Sequence, residues 1–261
     1  MKVLIVILSF SLQSLLFGQD GQWLKKAHSA YDINYTAPDK MNIDAYATLV
    51  DNSIRAVEQF FNAPLRNRFQ VFIQPNRNSL DSTWKTEWNI PDLKSECWMV
   101  ASGIAQRLDM ISPAQWDKEA CEHKYADSTE TQRLITHEIF HVFHAQLNAS
   151  PDFSEAENMD WFVEGLATYA SGQLDSVRIL NIEKNILSNS IPASLDSFWT
   201  GKSKYGLSGS VVMYIDKVYG RDKLKQLLPL SKKQEVLDFL KITEGDLLSQ
   251  WKLKMIADKK N

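Results

Sequence analysis

The segment that most constrains this chain is the five-residue run H-E-I-F-H at residues 137–141. Residues four apart lie on one face of an α-helix, one turn from each other, so His137 and His141 can direct two imidazoles at one metal ion. Glu138, which follows the first histidine, can then reach a water molecule at that ion. Two imidazoles with an adjacent glutamate are typical of the metal-binding helix of zinc hydrolases.

The helix that carries this run is predicted to be buried, because apolar residues lie around most of its girth. Residues 127–129 offer a capping side chain at its amino end, and Glu130 lies favourably in its first turn. Histidines and a glutamate inside a buried helix need compensating chemistry, which a metal supplies. His144 is interpreted as a core or supporting residue, because a catalytic zinc needs only three protein ligands.

The third ligand is predicted in the segment D-W-F-V-E-G-L-A-T-Y-A-S at residues 160–171, which opens a second helix. Glu164 lies near its start, and the spacing from His141 leaves room for a loop and an antiparallel return. No histidine follows His144, which excludes a site with three histidines. We therefore expect one Zn²⁺ ion held by His137, His141 and Glu164, with an open fourth position of the kind found in catalytic sites.

The amino terminus has the pattern of a secretory signal peptide over residues 1–18. One lysine precedes a short apolar core, and Gly18 offers a small residue for cleavage. A retained membrane anchor is the alternative, but the polar residues between 9 and 14 leave little apolar length for a stable span. We expect a secreted or periplasmic protein with no stable membrane span after cleavage.

The charge of the mature chain excludes a nucleic-acid partner. It holds 32 acidic against 28 basic residues, a formal net charge of −4, whereas nucleic-acid binding calls for a basic surface. Cys97 and Cys121 are the only cysteines. In an oxidising compartment they can form one disulfide, and two buried free thiols are the alternative.

The first half of the mature chain shows the alternation of strands and helices. Strands are predicted over residues 30–36, 69–73 and 100–111, and the three- and four-residue spacing of apolar side chains predicts a helix over 43–61. The tryptophans at 84, 88 and 98 lie in a polar stretch that we interpret as irregular, where they either line a cleft or pack a long loop. The strand before the zinc helix could bind an extended peptide at a free edge.

The two motifs together resemble those of the gluzincin metallopeptidases, and most closely the peptidase MA-like domain group, whose second motif has the form W-x-x-E-G-x-A-x-Y. Aminopeptidase N-type enzymes share that second motif. Residues 205–228 and 242–251 also resemble the helical segments of this group, so the resemblance covers about residues 30–255. It implies His137, His141 and Glu164 as zinc ligands and Glu138 as the general base that deprotonates the attacking water.

The resemblance also implies a tyrosine that stabilises the oxyanion. Tyr205 is the nearest positional match, with Tyr214 and Tyr219 as competitors and an ordinary core tyrosine as an equal alternative. Thr168, one turn after Glu164, could support a ligand histidine by a hydrogen bond, or could simply lie on the helix surface.

One departure from the aminopeptidases concerns the substrate's free amine. They bind it with a glutamate in a G-x-M-E-N segment, whereas the comparable stretch here is G-I-A-Q-R at residues 103–107. The neutral Gln106 cannot pair with an ammonium as a carboxylate does. An endopeptidase is therefore expected rather than an aminopeptidase.

These observations predict an α+β, zincin-like protein. An α/β lobe with a mixed sheet (residues 19–127) and a mainly helical lobe (128–261) are expected to form one catalytic domain with the zinc cleft between them. Peptides or proteins are the expected substrates, and the oligomeric state is not specified by the sequence. The alternative is a module of the same fold that holds zinc or binds peptides without catalysis.

Overall fold

The computed structural model describes residues 22–257 and shows a mixed α+β architecture. The predicted signal peptide at residues 1–18 lies outside the described residues. None of the helices between residues 22 and 257 is long and apolar enough to cross a membrane. Five strands are described: β1 (Leu24–Ala27), β2 (Tyr31–Tyr35), β3 (Phe69–Gln74), β4 (Ala101–Ile104) and β5 (Arg107–Ile111).

The five strands form one mixed sheet in the order β1-β2-β3-β5-β4. Strand β2 pairs in parallel with β3, and β3 pairs in parallel with β5, while β1 and β4 run antiparallel to their neighbours. The central residues Ile33, Val71 and Leu108 are fully buried, as expected for strands covered by helices. Strand β4 is thus at one edge of the described sheet, next to the segment that leads into the H-E-I-F-H helix.

The single strand predicted over residues 100–111 was wrong, since this segment is the hairpin β4–β5. Its two-residue turn, Ala105–Gln106, contains no glycine, asparagine or proline, the residues by which hairpin turns are usually recognised. Contacts from elsewhere hold the turn instead: Gln106 O accepts a hydrogen bond from Gln70 N (2.9 Å), and Ala105 N donates to Pro151 O (3.0 Å).

Ten helices are described: α1 (Ile43–Phe61), α2 (Arg77–Glu87), α3 (Trp116–Glu119), α4 (Ser128–Ala145), α5 (Asp160–Ala170), α6 (Ser176–Leu187), α7 (Lys204–Tyr219), α8 (Arg221–Leu227), α9 (Lys233–Leu240) and α10 (Glu244–Ala257). Helix α1 has the predicted bounds. It ends at Asn62, which adopts the left-handed conformation (φ 47°); asparagine tolerates this conformation better than most residues and is therefore common at helix ends. Every helix after residue 127 follows the last strand, so the sheet belongs to the first half of the chain and a helical region follows it.

Helix α2 was not predicted, because the stretch after Pro75 reads as polar and irregular. Only one narrow stripe of α2 is buried, at Ser79, Leu80 and Trp84. The local signal for this helix is Asn76, whose side chain accepts a hydrogen bond from Ser79 N (2.9 Å) and caps the first turn.

The loop between α2 and β4 is fixed by a covalent link to the segment after α3 and by hydrogen bonds from α2. Cys97 and Cys121 form a disulfide, which resolves the alternative left open by the sequence. The guanidinium of Arg77 donates hydrogen bonds to the carbonyl oxygens of Cys97 (3.0 Å) and Met99 (2.9 Å). These contacts hold Trp98, the residue between the two acceptors, at the approach to β4.

Helix α4 lies at the centre of the molecule, where it packs against both α1 and β4. On the α1 side, a buried polar contact joins Ser53 Oγ and Thr136 Oγ1 (2.9 Å), and Gln132 Nε2 donates to the same serine oxygen (2.8 Å). On the β4 side, a methyl group at Gly103 would overlap the carbonyl oxygen of Glu138. Glycine at this position lets the edge strand lie directly on the backbone of the motif helix.

Helices α5 and α7 cross closely, and α5 also packs against α4. A methyl group at Gly165 would lie 2.5 Å from the carbonyl oxygen of Ser208, and one at Gly209 would lie 3.2 Å from Cγ2 of Thr168. The small residues on both helices therefore allow the close approach. This crossing brings the start of α7, with Tyr205, towards Glu164 on α5.

Candidate active site

The motif helix α4 is capped as predicted from the 127–129 segment. Asp127 accepts a hydrogen bond from Glu130 N (3.1 Å), which satisfies a free amide of the first turn. Every residue from Leu134 to Ala145 is buried. Burial on all faces fixes the rotation of the helix, and with it the direction in which its two histidines point.

The structure brings together the three residues predicted as metal ligands. His137 Nε2 lies 3.0 Å from His141 Nε2, and Glu164 Oε2 lies 3.2 and 3.6 Å from these two nitrogens. Both histidines are buried, and the Glu164 side chain is 26% exposed. No other group of three such side chains with this geometry occurs within residues 22–257.

The three atoms have the spacing and the chemistry of a metal site. Ligands at about 2.1 Å from one ion with tetrahedral angles lie about 3.4 Å from each other, which matches the observed 3.0–3.6 Å. A neutral imidazole carries one N–H, and His137 Nδ1 is buried without a hydrogen-bond partner. Two imidazole nitrogens and a carboxylate oxygen converging on one point are therefore suited to a cation such as zinc.

The electrostatics of Glu164 agree with a cation-binding role. Burial alone would disfavour its charge, but the neighbouring His141 and the hydrogen bonds from the two imidazoles outweigh that effect and hold the pKa of the carboxyl well below its usual range. Glu164 is thus ionised at any physiological pH and presents an anionic ligand atom to the two histidines.

Glu138 is buried beside this group, at the contact between α4 and β4. Burial raises the pKa of its carboxyl to about 7, with a further rise from the charge of Glu164, while His137 and the backbone amide of Gly103 act in the opposite direction. A carboxyl with a pKa near neutrality can both accept and release a proton. Its position next to the first ligand histidine is the one predicted for the base.

Of the three candidate tyrosines, only Tyr205 lies at the site. Its ring is 6.2 Å from the ring of His137, and it lines the same cavity as the ligand residues. Tyr214 donates a hydrogen bond to Gln250 Oε1 (3.0 Å), and Tyr219 lines a separate depression near α10. Burial, reinforced by the charges of Glu164 and Glu138, raises the pKa of Tyr205 well above its usual range, so its hydroxyl stays protonated and able to donate.

Two further residues considered in the sequence support the fold around the site. Thr168 is fully buried but its hydroxyl has no partner, and its methyl group faces Gly209 on α7, so it forms no hydrogen bond with a ligand histidine. His144 packs edge-on against Phe153 and Phe162, and burial lowers its pKa to about 3. It is a neutral core histidine in this structure.

A cavity of about 1110 Å³ opens over the ligand residues. Strand β4 and the loop before it line one wall, and residues of α5, α6 and α7 line the opposite wall. Trp84, Trp88 and Trp98 all border the cavity; Trp84 is fully buried and stacks on Trp88 with ring centroids 4.7 Å apart. The tryptophans therefore both pack α2 and its loop and border the cleft.

Gln106 does not border this cavity, since it is exposed in the β4–β5 turn. Three other carboxylates, Glu122, Asp152 and Asp160, do line it. Lys204 and Trp199, which the sequence did not single out, also line the cavity beside Tyr205. No local pattern marks these two residues, because their place at the site results from the turn that leads into α7.

No protein-family model matches the chain, and no curated protein matches it in sequence. Solved structures similar to it include a point mutant of a two-domain M1 zinc metallopeptidase bound to L-arginine, with 15% identity and a TM-score of 0.47 over 90% of this chain. A mutant of a two-domain M1 zinc metallopeptidase bound to L-tryptophan is similar over 85% of this chain, with 16% identity and a TM-score of 0.42. This chain spans about half the length of each, 51% and 48% respectively.

Proposed function

We propose that this chain is a zinc-dependent peptidase of the gluzincin type that holds one Zn²⁺ ion and cleaves within peptide chains. The observation that carries the proposal is the convergence of His137 Nε2, His141 Nε2 and Glu164 Oε2, with Glu138 buried beside them at the floor of a large cleft. The proposed ligand set comes from two helices that are fixed by packing, so the site is preorganised. A zinc ion in such a site, when bound, polarises a substrate carbonyl and acidifies water.

In this proposal Glu138 moves the protons. Its carboxylate accepts a proton from the attacking water and then delivers it to the nitrogen of the leaving amine, as one general acid–base residue can do in both directions. The close contact between Gly103 and the Glu138 backbone holds this residue beside the substrate-binding wall.

Tyr205 is proposed to stabilise the oxyanion that develops on the substrate carbonyl. Its hydroxyl is protonated, it borders the cleft, and its ring lies beside His137. A donor fixed in a dry cavity lowers the barrier most when it points at the developing charge, by about 3–4 kcal/mol in comparable sites.

The edge strand β4 offers the backbone groups for an extended peptide. Val100 O accepts a hydrogen bond from Ile111 N on the β5 side (2.8 Å), so the backbone groups of the next residue, Ala101, and of Gly103 face away from β5. A peptide can add to such an edge by main-chain hydrogen bonds. Gln106 lies outside the cavity and so does not bear on the choice between internal and terminal cleavage. The proposal of cleavage within chains rests instead on the edge of β4, along which an extended peptide can continue past the site.

The arrangement of lobes and the location of the protein complete the proposal. The α/β lobe (residues 19–127) contributes β4, the helical lobe (128–261) contributes the ligands and Tyr205, and the zinc cleft lies between them. We also propose export by the signal at residues 1–18, a peptide or protein as the substrate, and no role for nucleic acid.

The test is digestion of a mixed peptide library by the purified chain from residue 19, with the Glu138→Gln protein alongside. The native protein is expected to cut internal peptide bonds, to lose activity on chelation and to regain it with zinc. Glu138→Gln is expected to keep zinc and lose turnover by at least about a hundredfold.

Each alternative has its own outcome. A module that only holds zinc or binds peptides would bind zinc equally in both proteins and cut nothing. Cleavage confined to free amino termini would contradict the proposed cleavage within peptide chains. Equal cleavage by the native and Glu138→Gln proteins would contradict the proton-transfer role of Glu138.

A further inference from the structure

The ammonium group of Lys204 lies among three aromatic rings at one end of the cleft. Its Nζ is 4.3 Å from the ring centroid of Trp199, 4.5 Å from that of Trp98 and 5.2 Å from that of Tyr205. Trp98 comes from the disulfide-bonded loop before β4, Tyr205 lies in the first turn of α7, and Trp199 lies in the turn that leads into α7. We call these four residues the Lys204 cage.

The cation in this cage has no anionic partner. Among the residues that the structure describes, no carboxylate forms an ion pair with Lys204. The other partly buried cation of the cleft, Arg178, is already engaged, since it donates to Gln173 O (2.7 Å) and pairs with Asp175 (3.5 Å). Lys204 is thus a fixed and half-buried positive charge that faces the cleft without a counter-ion.

A charge at this position is not needed for packing. A cation over aromatic rings at a partly exposed site gains about 0.5–1 kcal/mol, while removing an ammonium from water works against that gain. A methionine would fill the space between the rings without the desolvation. The positive charge of Lys204 is therefore better explained by binding of a negatively charged group in the cleft.

We propose that Lys204 recognises a carboxylate of the substrate, which makes acidic peptides the preferred substrates; this inference rests on the proposed peptidase function. The carboxylate belongs either to an aspartate or glutamate side chain or to the carboxyl terminus of the peptide. Both present the same pair of oxygens to an ammonium in a low-dielectric cleft, where a charge-assisted hydrogen bond is strong.

The distances define where the carboxylate lies relative to the bond that is cut. The Lys204 ammonium is 5.2 Å from the Tyr205 ring, which is 6.2 Å from the ring of the ligand His137. At about 3.3 Å per residue of extended chain, that path corresponds to at most about three residues. The recognised carboxylate is therefore within about three residues of the scissile bond.

Carboxylates also line the cleft. Asp152 lies next to Phe153, whose ring packs on His141 and His144, away from the cage. Glu122 lies closer to the cage, since its charge acts on the hydroxyl of Tyr205. Within residues 22–257 neither carboxylate forms an ion pair with Lys204, so its ammonium is available to a carboxylate of the substrate.

The test uses three acetylated peptide libraries that differ at one feature. The first has a fixed central glutamate and an amidated carboxyl terminus, the second has glutamine in its place, and the third has glutamine and a free terminal carboxylate. Cleavage sites and rates are measured for the native protein, Lys204→Met and Lys223→Met. Lys223 is the matched control, because its Nζ also lies over an aromatic ring (Phe239, 4.9 Å) but away from the cleft.

The native protein and Lys223→Met are expected to cut the glutamate library about tenfold faster than the glutamine library, within about three residues of the glutamate. Lys204→Met is expected to lose this preference and to keep the rate on the glutamine library within about twofold. Cuts at the same spacing from the free terminus in the third library would identify the terminal carboxylate as the preferred source. Equal rates on all libraries, or an equal loss by Lys204→Met on all of them, would overturn the proposal.

A binding measurement separates this inference from the peptidase proposal. Fluorescein-labelled glutamate and glutamine libraries are bound to the zinc-loaded Glu138→Gln protein, with and without Lys204→Met, and followed by anisotropy. Tighter binding of the glutamate library that depends on Lys204 would support the carboxylate site even if no protein cuts any peptide. Equal binding of the two libraries would refute it.

Discussion

The substitution Gly165→Ala tests how the proposed zinc ligand on α5, Glu164, and Tyr205 on α7 are held together. The added methyl group would lie 2.5 Å from the carbonyl oxygen and 2.6 Å from the carbonyl carbon of Ser208. Both atoms belong to the backbone, so no side-chain rotation relieves the overlap. An ordinary contact begins near 3.4 Å, and the two helices must therefore separate by about 0.9 Å.

The magnitude follows from two opposing effects. Overpacking of this kind costs about 1–3 kcal/mol, whereas alanine is favoured over glycine in a helix by about 1 kcal/mol. Because the overlap is with backbone atoms, we take the upper part of the overpacking range, about 2–3 kcal/mol. The net loss is then about 1–2 kcal/mol, which lowers the melting temperature by about 2–8 °C for a chain of this size. Displacement of Glu164, the neighbouring residue, is expected to weaken zinc binding by about tenfold.

The assay combines urea denaturation in the presence of a chelator with a competition titration of zinc against a metal-binding dye. Gly245→Ala is the matched control, because a methyl group there meets only Thr243 Oγ1 at 4.0 Å. It is expected to leave both stability and zinc affinity unchanged or slightly higher. If Gly165→Ala were as stable as the native protein and bound zinc equally well, the close crossing of α5 and α7 would not position the site.

Tyr205→Phe keeps the ring and removes the hydroxyl, so kcat on a cleaved peptide is expected to fall by about 10²–10³ with zinc affinity unchanged; an unchanged kcat would exclude the oxyanion role. In Gly103→Ala the added methyl group overlaps the Glu138 carbonyl, and we expect both lower stability by thermal melting and lower activity, whereas full activity would contradict the contact between β4 and α4. Replacing Cys97 and Cys121 by serine opens a loop with a sequence separation of 24, which is expected to lower the free energy of unfolding by about 3 kcal/mol in urea; a change below about 1 kcal/mol would contradict that estimate.

Helix α1 shows what the sequence predicts well. Its apolar residues recur at helical spacing over five turns, its face is buried against the sheet and α4, and Asn62 ends it. Local pattern and tertiary packing agree there, so the predicted and observed bounds coincide. Prediction and structure also agree for α4. Apolar residues on most of its faces predicted a buried helix, and the structure shows one.

The β4–β5 hairpin and helix α2 show where local pattern is insufficient. Ala105–Gln106 carries no turn signal. The hairpin turn is held by two hydrogen bonds to residues distant in sequence: Gln70 N donates to Gln106 O, and Ala105 N donates to Pro151 O. Helix α2 buries only a narrow stripe around Leu80 and Trp84, so its apolar periodicity is weak. In both cases tertiary contacts decide the local structure.

The candidate site also has features that the sequence predicts and features that depend on tertiary contacts. The spacing of His137, His141 and Glu164 predicted a ligand set that the fold brings within 3.6 Å, because the motif encodes the chemistry directly. The reason for glycine after Glu164 could not be predicted, since it lies in the backbone of Ser208 on another helix. The place of Lys204 at the cleft depends likewise on segments that meet only in the folded protein.

The measurement that tests the account most directly is a zinc titration of the metal-free protein, with bound zinc and peptidase activity recorded on the same samples. Activity is expected to rise in proportion to zinc and to saturate at one ion per chain. The Glu138→Gln protein is expected to bind the same single equivalent and to remain inactive. Activity without zinc, saturation at another stoichiometry, or an active Glu138→Gln protein would contradict the proposed centre of His137, His141, Glu164 and Glu138.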